Sequence, residues 1–125
     1  NSGTRAEDVD YICAHGTGTA ANDLTEGMAV KTVFGDDPPP ISSIKSMLGH
    51  SMGAASGFGA IASVLALHEG FLPPTVNHRQ TDHRLTGLDV VPNTSRPAHI
   101  GVAQNNGFAF GGNNAIVIFG KEDRA

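Results

Sequence analysis

The sequence predicts an α/β domain with a mixed sheet. Short β-branched and aromatic runs recur along the chain, VDYICAH at 9–15 and AIVIF at 115–119. Helix-length segments separate such runs, and glycine and proline clusters mark the joints. With 125 residues the chain is one domain long, enough to bury about two-thirds of the surface it exposes unfolded. Sixteen Gly and seven Pro in a chain that is 39% hydrophobic read as tight turns and close backbone approaches, since apolar residues remain plentiful. A single unit over 1–125, without internal boundary or repeat, is expected.

The elements follow in order. Residues 9–15 stop at Gly16 and form a strand, and 16–21 is a loop of small residues. Asp23 with Glu26 three positions later has capping-box spacing and opens a helix to about Phe34. Gly35 and the run Asp36-Asp37-Pro38-Pro39-Pro40 end it. Residues 41–44 are a second short strand and 45–52 a loop. An almost wholly apolar helix over 53–69, closed by Gly70, is expected to be buried on several sides. Gly53 and Gly57 have the GxxxG spacing, read here as close helix packing outside a membrane. Residues 71–86 are irregular around Pro73-Pro74, 88–91 is a weak strand, 100–104 a better one, and 105–113 a loop. The strongest strand, 115–119, is continuously apolar, which predicts cover on both faces. Five strands and two helices barely supply such cover, so the elements read as part of a larger core. A first residue other than Met agrees with a piece of a longer chain.

Charge and composition exclude several classes. With eight Lys plus Arg and a net charge of −4, there is no basic surface for nucleic acid. One cysteine rules out an internal disulfide framework and a Cys-rich zinc module, and fits a reducing, cytoplasmic setting. The polar start has no apolar signal core, and the apolar uncharged run at 51–67 is shorter than the roughly 20 apolar residues of a membrane span.

Four motifs have a bland and a sharp reading. Gly16 to Ala21 matches G-x-G-x-x-A between a strand and a helix, with Asp36 or Asp37 at ribose distance. Asn22 and Asp23, however, put polar and negative groups where a pyrophosphate would sit. Gly49-His50-Ser51-Met52-Gly53 matches the nucleophile elbow, with Asp82 or Asp89 as acid and His99 as base. Its preceding segment is a poor strand and the chain is short for a hydrolase. His78 and His83 have no common metal-ligand spacing, so no metal is expected. Cys13, inside the first strand, reads as a small buried hydrophobe.

The richest constellation joins three loops at strand ends, where an α/β sheet usually places its site. His15 ends the first strand, followed by Thr17 and Thr19. Lys45 and His50 lie on the second strand–loop–helix junction, and Asn106-Gly107-Phe108-Ala109-Phe110-Gly111-Gly112-Asn113 precedes the last strand. Two neutral imidazoles can donate to one developing oxyanion, and glycines around Phe110 let a backbone N–H approach a carbonyl.

With His-Gly-Thr-Gly-Thr at 15–19, Asp23 and Glu26, Lys45-Ser46-Met47-Leu48-Gly49-His50 and the Phe-containing glycine loop at 105–114, the sequence resembles the C-terminal part of the β-ketoacyl-acyl-carrier-protein synthases. The likeness covers 9–119. It implies the C-terminal portion of a thiolase-like layered αβαβα fold, incomplete without an N-terminal half, and decarboxylative Claisen condensation as the activity.

By this resemblance His15 and His50 hydrogen-bond the malonyl thioester oxygen. Lys45 pairs with Glu26 as support, and Asp23 belongs to the same supporting group. Thr17 and Thr19 hold the phosphopantetheine arm. Phe110 is the gating phenylalanine whose N–H completes an oxyanion hole, with Phe108 as wall. No bound cofactor is implied; substrates ride on acyl carrier protein. The implied partners are that carrier protein, the N-terminal half with the nucleophilic cysteine, and a second complete unit in a homodimer or heterodimer. Cys13 does not match the nucleophile, so acyl transfer by this chain alone is not expected. Ala109 stands for a family glycine, Gly107 for a serine, and Asn113 where Thr is frequent. The alternatives are a non-catalytic chain-length-factor-like subunit, disfavoured by the retained His15, Lys45 and His50, and the serine hydrolase above.

Overall fold

The computed structural model describes residues 2–122. Its centre is a four-stranded mixed sheet in the order β2-β1-β5-β6. Strands β1 (Tyr11–Cys13) and β2 (Ile41–Ser42) run parallel, as do β1 and β5 (Val102–Ala109). Strand β6 (Asn113–Gly120) returns antiparallel along the full length of β5. Helices α1 (Ala20–Phe34) and α3 (Ala55–Glu69) supply the other layers.

The alternation of side chains along a strand divides β1 between two cores. Tyr11 and Cys13 face the cluster of Ala66, Leu67, Leu72, Val91, Ile100 and Ala103, on the α3 side. Ile12 and Ala14 face Val30, Ile41 and Leu88, on the α1 side. Each fully buried aliphatic side chain contributes about 1.5–3 kcal/mol. β1 thus carries both layers, and the residue after Ala14 emerges at the edge of both.

Several expectations need correction. The first strand is shorter than 9–15, and α1 starts at Ala20, with Asp23 in its first turn and not at its cap. Thr19 holds the extended cap backbone, and Asp23 instead accepts the Gly18 N–H at 3.2 Å. The 45–52 loop contains a helical turn, α2 (Lys45–Leu48), and a 3-10 turn at Met52–Ala54 leads into α3. The 71–86 segment holds β3 (Phe71–Leu72), which pairs with β4 (Arg96–Pro97), and residues 88–91 form no strand, only a bridge between Thr75 and Pro92 next to them.

The largest difference is at 105–113, expected as a loop. There β5 continues to Ala109, turns at Phe110–Gly112 and becomes β6. Asn is a poor strand former, yet Asn105 and Asn106 are buried there because each amide finds a partner, the Ser56 carbonyl and the Glu26 carboxylate. Gly111 and Gly112, both at φ +78, make the turn in a conformation that side chains disfavour.

β6 is an edge strand, not one covered on both faces, with Ile116 and Val117 exposed. Within the described residues α3 is covered on one face, with Phe58, Ile61, Val64 and Leu65 exposed. Among the described residues the GxxxG pair makes no close approach: a Cβ at Gly53 or Gly57 would meet nothing within 4 Å. The close approach is two residues on, at Gly59, where a Cβ would collide with Asn105 Oδ1.

Candidate active site

His15 follows β1 directly, and three elements hold it. Its backbone N–H donates to Glu26 Oε1 (2.9 Å) and that of Gly16 to Glu26 Oε2 (2.8 Å). Its carbonyl accepts from Lys45 Nζ (2.5 Å) at the start of α2. Its ring nitrogen Nδ1 accepts the backbone N–H of Phe108 in β5 (3.3 Å). Lys45 and Glu26 therefore do not meet in a direct ion pair, as the resemblance had implied. They grip opposite ends of the His15 main chain.

His50 lies beyond α2, its ring centroid 5.8 Å from that of His15 and nearly perpendicular to it. The Met52 N–H donates to His50 Nδ1 at 3.0 Å. Met52 takes a positive φ of 49 to reach it, an uncommon conformation for a side chain of that size. Both imidazoles share one feature. An Nδ1 that accepts a hydrogen bond carries no proton, so in the neutral ring the proton is on Nε2. The Nε2–H of each ring is then the donor left for another molecule.

Electrostatics favour neutral rings at His15. Burial pushes its pKa below the ordinary histidine value, the Lys45 ammonium adds to this, and Glu26 opposes. Burial also lowers the Lys45 ammonium. Glu26 itself is buried and accepts two more donors, Asn106 Nδ2 at 2.9 Å and Asn22 Nδ2 at 3.3 Å. Four donors on one carboxylate satisfy a charge that would otherwise be costly to bury.

The structure thus brings together His15, His50, Lys45, Glu26 and Phe108, whose ring lies 5.5 Å from that of His15. Asp23 acts on the same loop through Gly18. Thr17 and Thr19 share a hydrogen bond between their hydroxyls at 2.8 Å. Phe110 is not brought in: it sits on the β5–β6 turn with 98% of its surface exposed. The sequence reading missed the Phe108 and Met52 amides, because backbone donors leave no residue signature. It also missed Asn106 and the contact of Asn22 to Glu26.

The rival motifs fall apart in space. The amides of His15, Gly16 and Gly18, which a pyrophosphate would need, are occupied by the Glu26 and Asp23 carboxylates. Ser51 follows a helical turn and not a strand. Of its proposed acids, Asp82 is bound to Arg84, and Asp89 to Arg96 and the Val91 N–H. Among the described residues no group of three or more His, Cys, Asp or Glu could hold a metal ion, and no helix is long and apolar enough to cross a membrane. Cys13 is buried, and burial raises its thiol pKa.

The layered sheet, with His15 at the end of β1 and His50 beyond α2 facing it, is that of the thiolase-fold ketosynthases among its structural neighbours. The family described as beta-ketoacyl synthase, C-terminal domain, matches residues 1–79. The chain belongs to the β-ketoacyl synthase family. It is 50% identical to nodulation protein E of Rhizobium meliloti over 121 residues, 95% of this chain and 30% of that protein. It is 44% identical over 111 residues to 3-oxoacyl-[acyl-carrier-protein] synthase 1 of Haemophilus influenzae, covering 89% of this chain and 27% of that enzyme. Among solved structures, the ishigamide ketosynthase/chain length factor superposes with a TM-score of 0.93 at 56% identity, over 96% of this chain and 30% of that one. The chain spans about 30% of the length of the curated relatives it matches.

Proposed function

We propose that this chain carries the decarboxylation half of a β-ketoacyl-acyl-carrier-protein synthase site. The reaction is the condensation of a malonyl thioester with an acyl thioester, both delivered by acyl carrier protein in the cytoplasm. The observation that carries this reading is the pair of imidazoles, each with Nδ1 occupied by a backbone N–H and Nε2–H free. Two neutral donors suit the thioester oxygen of malonyl. As its C–C bond to the carboxylate breaks and carbon dioxide leaves, the electron pair passes onto that oxygen, and the donors stabilise the enolate. Losing one such donor typically costs about 10²- to 10³-fold in rate.

The enolate carbon then attacks the acyl thioester held on a cysteine, forming the new C–C bond and releasing the cysteine as thiolate. That cysteine belongs to the part of the relatives' length that this chain does not span, since Cys13 is buried with a raised pKa. Lys45, Glu26 and Asp23 hold the His15 loop. Thr17 and Thr19 offer hydroxyls to the phosphopantetheine arm. Phe110, with nothing packed over its ring here, gates the acyl site once the missing segment is in place, and Phe108 forms the wall beside His15. Retention of both histidines with their supports favours a catalytic subunit over a chain-length-factor-like partner, with pairing into a dimer of complete units.

The test is His50→Ala in the full-length enzyme. Malonyl decarboxylation is expected to fall by about 10²- to 10³-fold, while acylation of the cysteine by the acyl donor persists. Undiminished decarboxylation overturns the reading.

A further inference from the structure

We infer that Asn106 is a positioning residue for His15, acting through Glu26, and that β5 thereby sets both the backbone and the ring of that histidine. This rests on the function proposed above. β1 ends at Cys13, opposite Asn105 of β5, whereas β5 runs on to Ala109. The overhanging residues lie alongside His15. Asn106 Nδ2 donates to Glu26 Oε1 at 2.9 Å, the same oxygen that accepts the His15 N–H. Two residues on, at the next position on the same face of the strand, the Phe108 N–H donates to His15 Nδ1. One strand thus contacts one histidine at two points, directly at the ring and through a carboxylate at the main chain.

The orientation of the amide is fixed by its partners. A carboxylate only accepts, so Nδ2 must face Glu26, and Oδ1 then accepts from Gln104 Nε2 at 2.8 Å. Both ends of a buried side chain are satisfied in this orientation alone. Without the Asn106 donor, Glu26 Oε1 keeps only the His15 N–H, and the carboxylate, with three of its four donors left, shifts and carries the His15 peptide with it. A displacement of that kind at a reacting group is enough to cost about a hundredfold in rate.

The experiment measures the two half-reactions of the full-length enzyme separately in Asn106→Leu, which keeps the volume and removes the donor, and Asn106→Asp, which turns the donor into an acceptor. Decarboxylation is expected to fall by about tenfold to a hundredfold in both, with cysteine acylation unchanged. Because Asn106 acts through His15, the double variant Asn106→Leu/His15→Ala should decarboxylate no more slowly than His15→Ala alone. Asn106→Ser, a smaller change with a shorter donor, gives the same comparison if the isosteric variants do not fold. Wild-type decarboxylation in these variants, or equal loss of both half-reactions, overturns the role of Asn106. Normal decarboxylation by His15→Ala would instead overturn the functional reading on which it rests.

Discussion

Lys45 meets His15 through the main chain, its ammonium donating to the carbonyl oxygen of the histidine at 2.5 Å. On the other side of the same residue, the N–H of His15 enters the Glu26 carboxylate. A half-buried cation and a buried anion are thus linked by one peptide segment whose dipoles point from one to the other. The arrangement holds the histidine in place, and burial together with the Lys45 ammonium disfavours an imidazolium there, with Glu26 opposing.

On the function proposed above, replacing Lys45 by Met has two expected consequences in the full-length protein. Decarboxylation falls by about tenfold to a hundredfold as the His15 loop loses a tether. The acidic limb of the rate profile also moves to higher pH. The sign follows from the cause: Lys45 lowers the His15 pKa, so its removal raises that pKa, and the ring becomes protonated, losing its neutral state, at a higher pH than before. Lys45→Arg keeps the charge and should leave the limb where it is. A limb that does not move in Lys45→Met would show that the histidine is not the titrating group.

Much of this was legible in the chain. The order of strands and helices follows from β-branched runs and glycine punctuation, and the histidines and Lys45 stand out as polar residues at strand ends. What was not legible depends on partners distant in sequence. Residues 105–109 read as a loop because Asn-Asn-Gly disfavours a strand, and only the Glu26 carboxylate and the Ser56 carbonyl make burial of those amides favourable. The tautomers of the two rings are set by backbone N–H groups of Phe108 and Met52, which any residue except proline would supply. The cover expected over α3 and β6 is absent from the described residues because a local apolar pattern says that a face is buried, not by which segment.

Gly59 and Gly57 offer a paired test of where α3 approaches the sheet. Gly59→Ala drives a Cβ into Asn105 Oδ1, and Asn105 cannot swing away without breaking its bond to the Ser56 carbonyl. The expected cost is about 1–3 kcal/mol. Gly57→Ala meets nothing within 4 Å and should be neutral or stabilising by up to about 1 kcal/mol, the difference in helix propensity. Denaturant unfolding of the two variants checks this, and equal stability would mean that α3 does not sit against β5 as described.

The exposed stripe on α3 makes the last prediction. Phe58, Ile61 and Leu65 recur at spacings of three and four and lie on one face, at 45%, 57% and 47% exposure. On the edge strand Val117, opposite Asn105 on the α3 side of the sheet, is also uncovered. A row of exposed apolar side chains along one helix face marks an interface. If the missing part of the relatives' length covers it, Ile61→Asp should prevent a stable complex between this chain and that segment when the two are coexpressed. A charge introduced at a free surface would be harmless there, since surface substitutions usually change stability by less than about 0.5 kcal/mol. Copurification and native mass spectrometry read the outcome. Undisturbed assembly of Ile61→Asp would show that the stripe faces solvent in the complete enzyme.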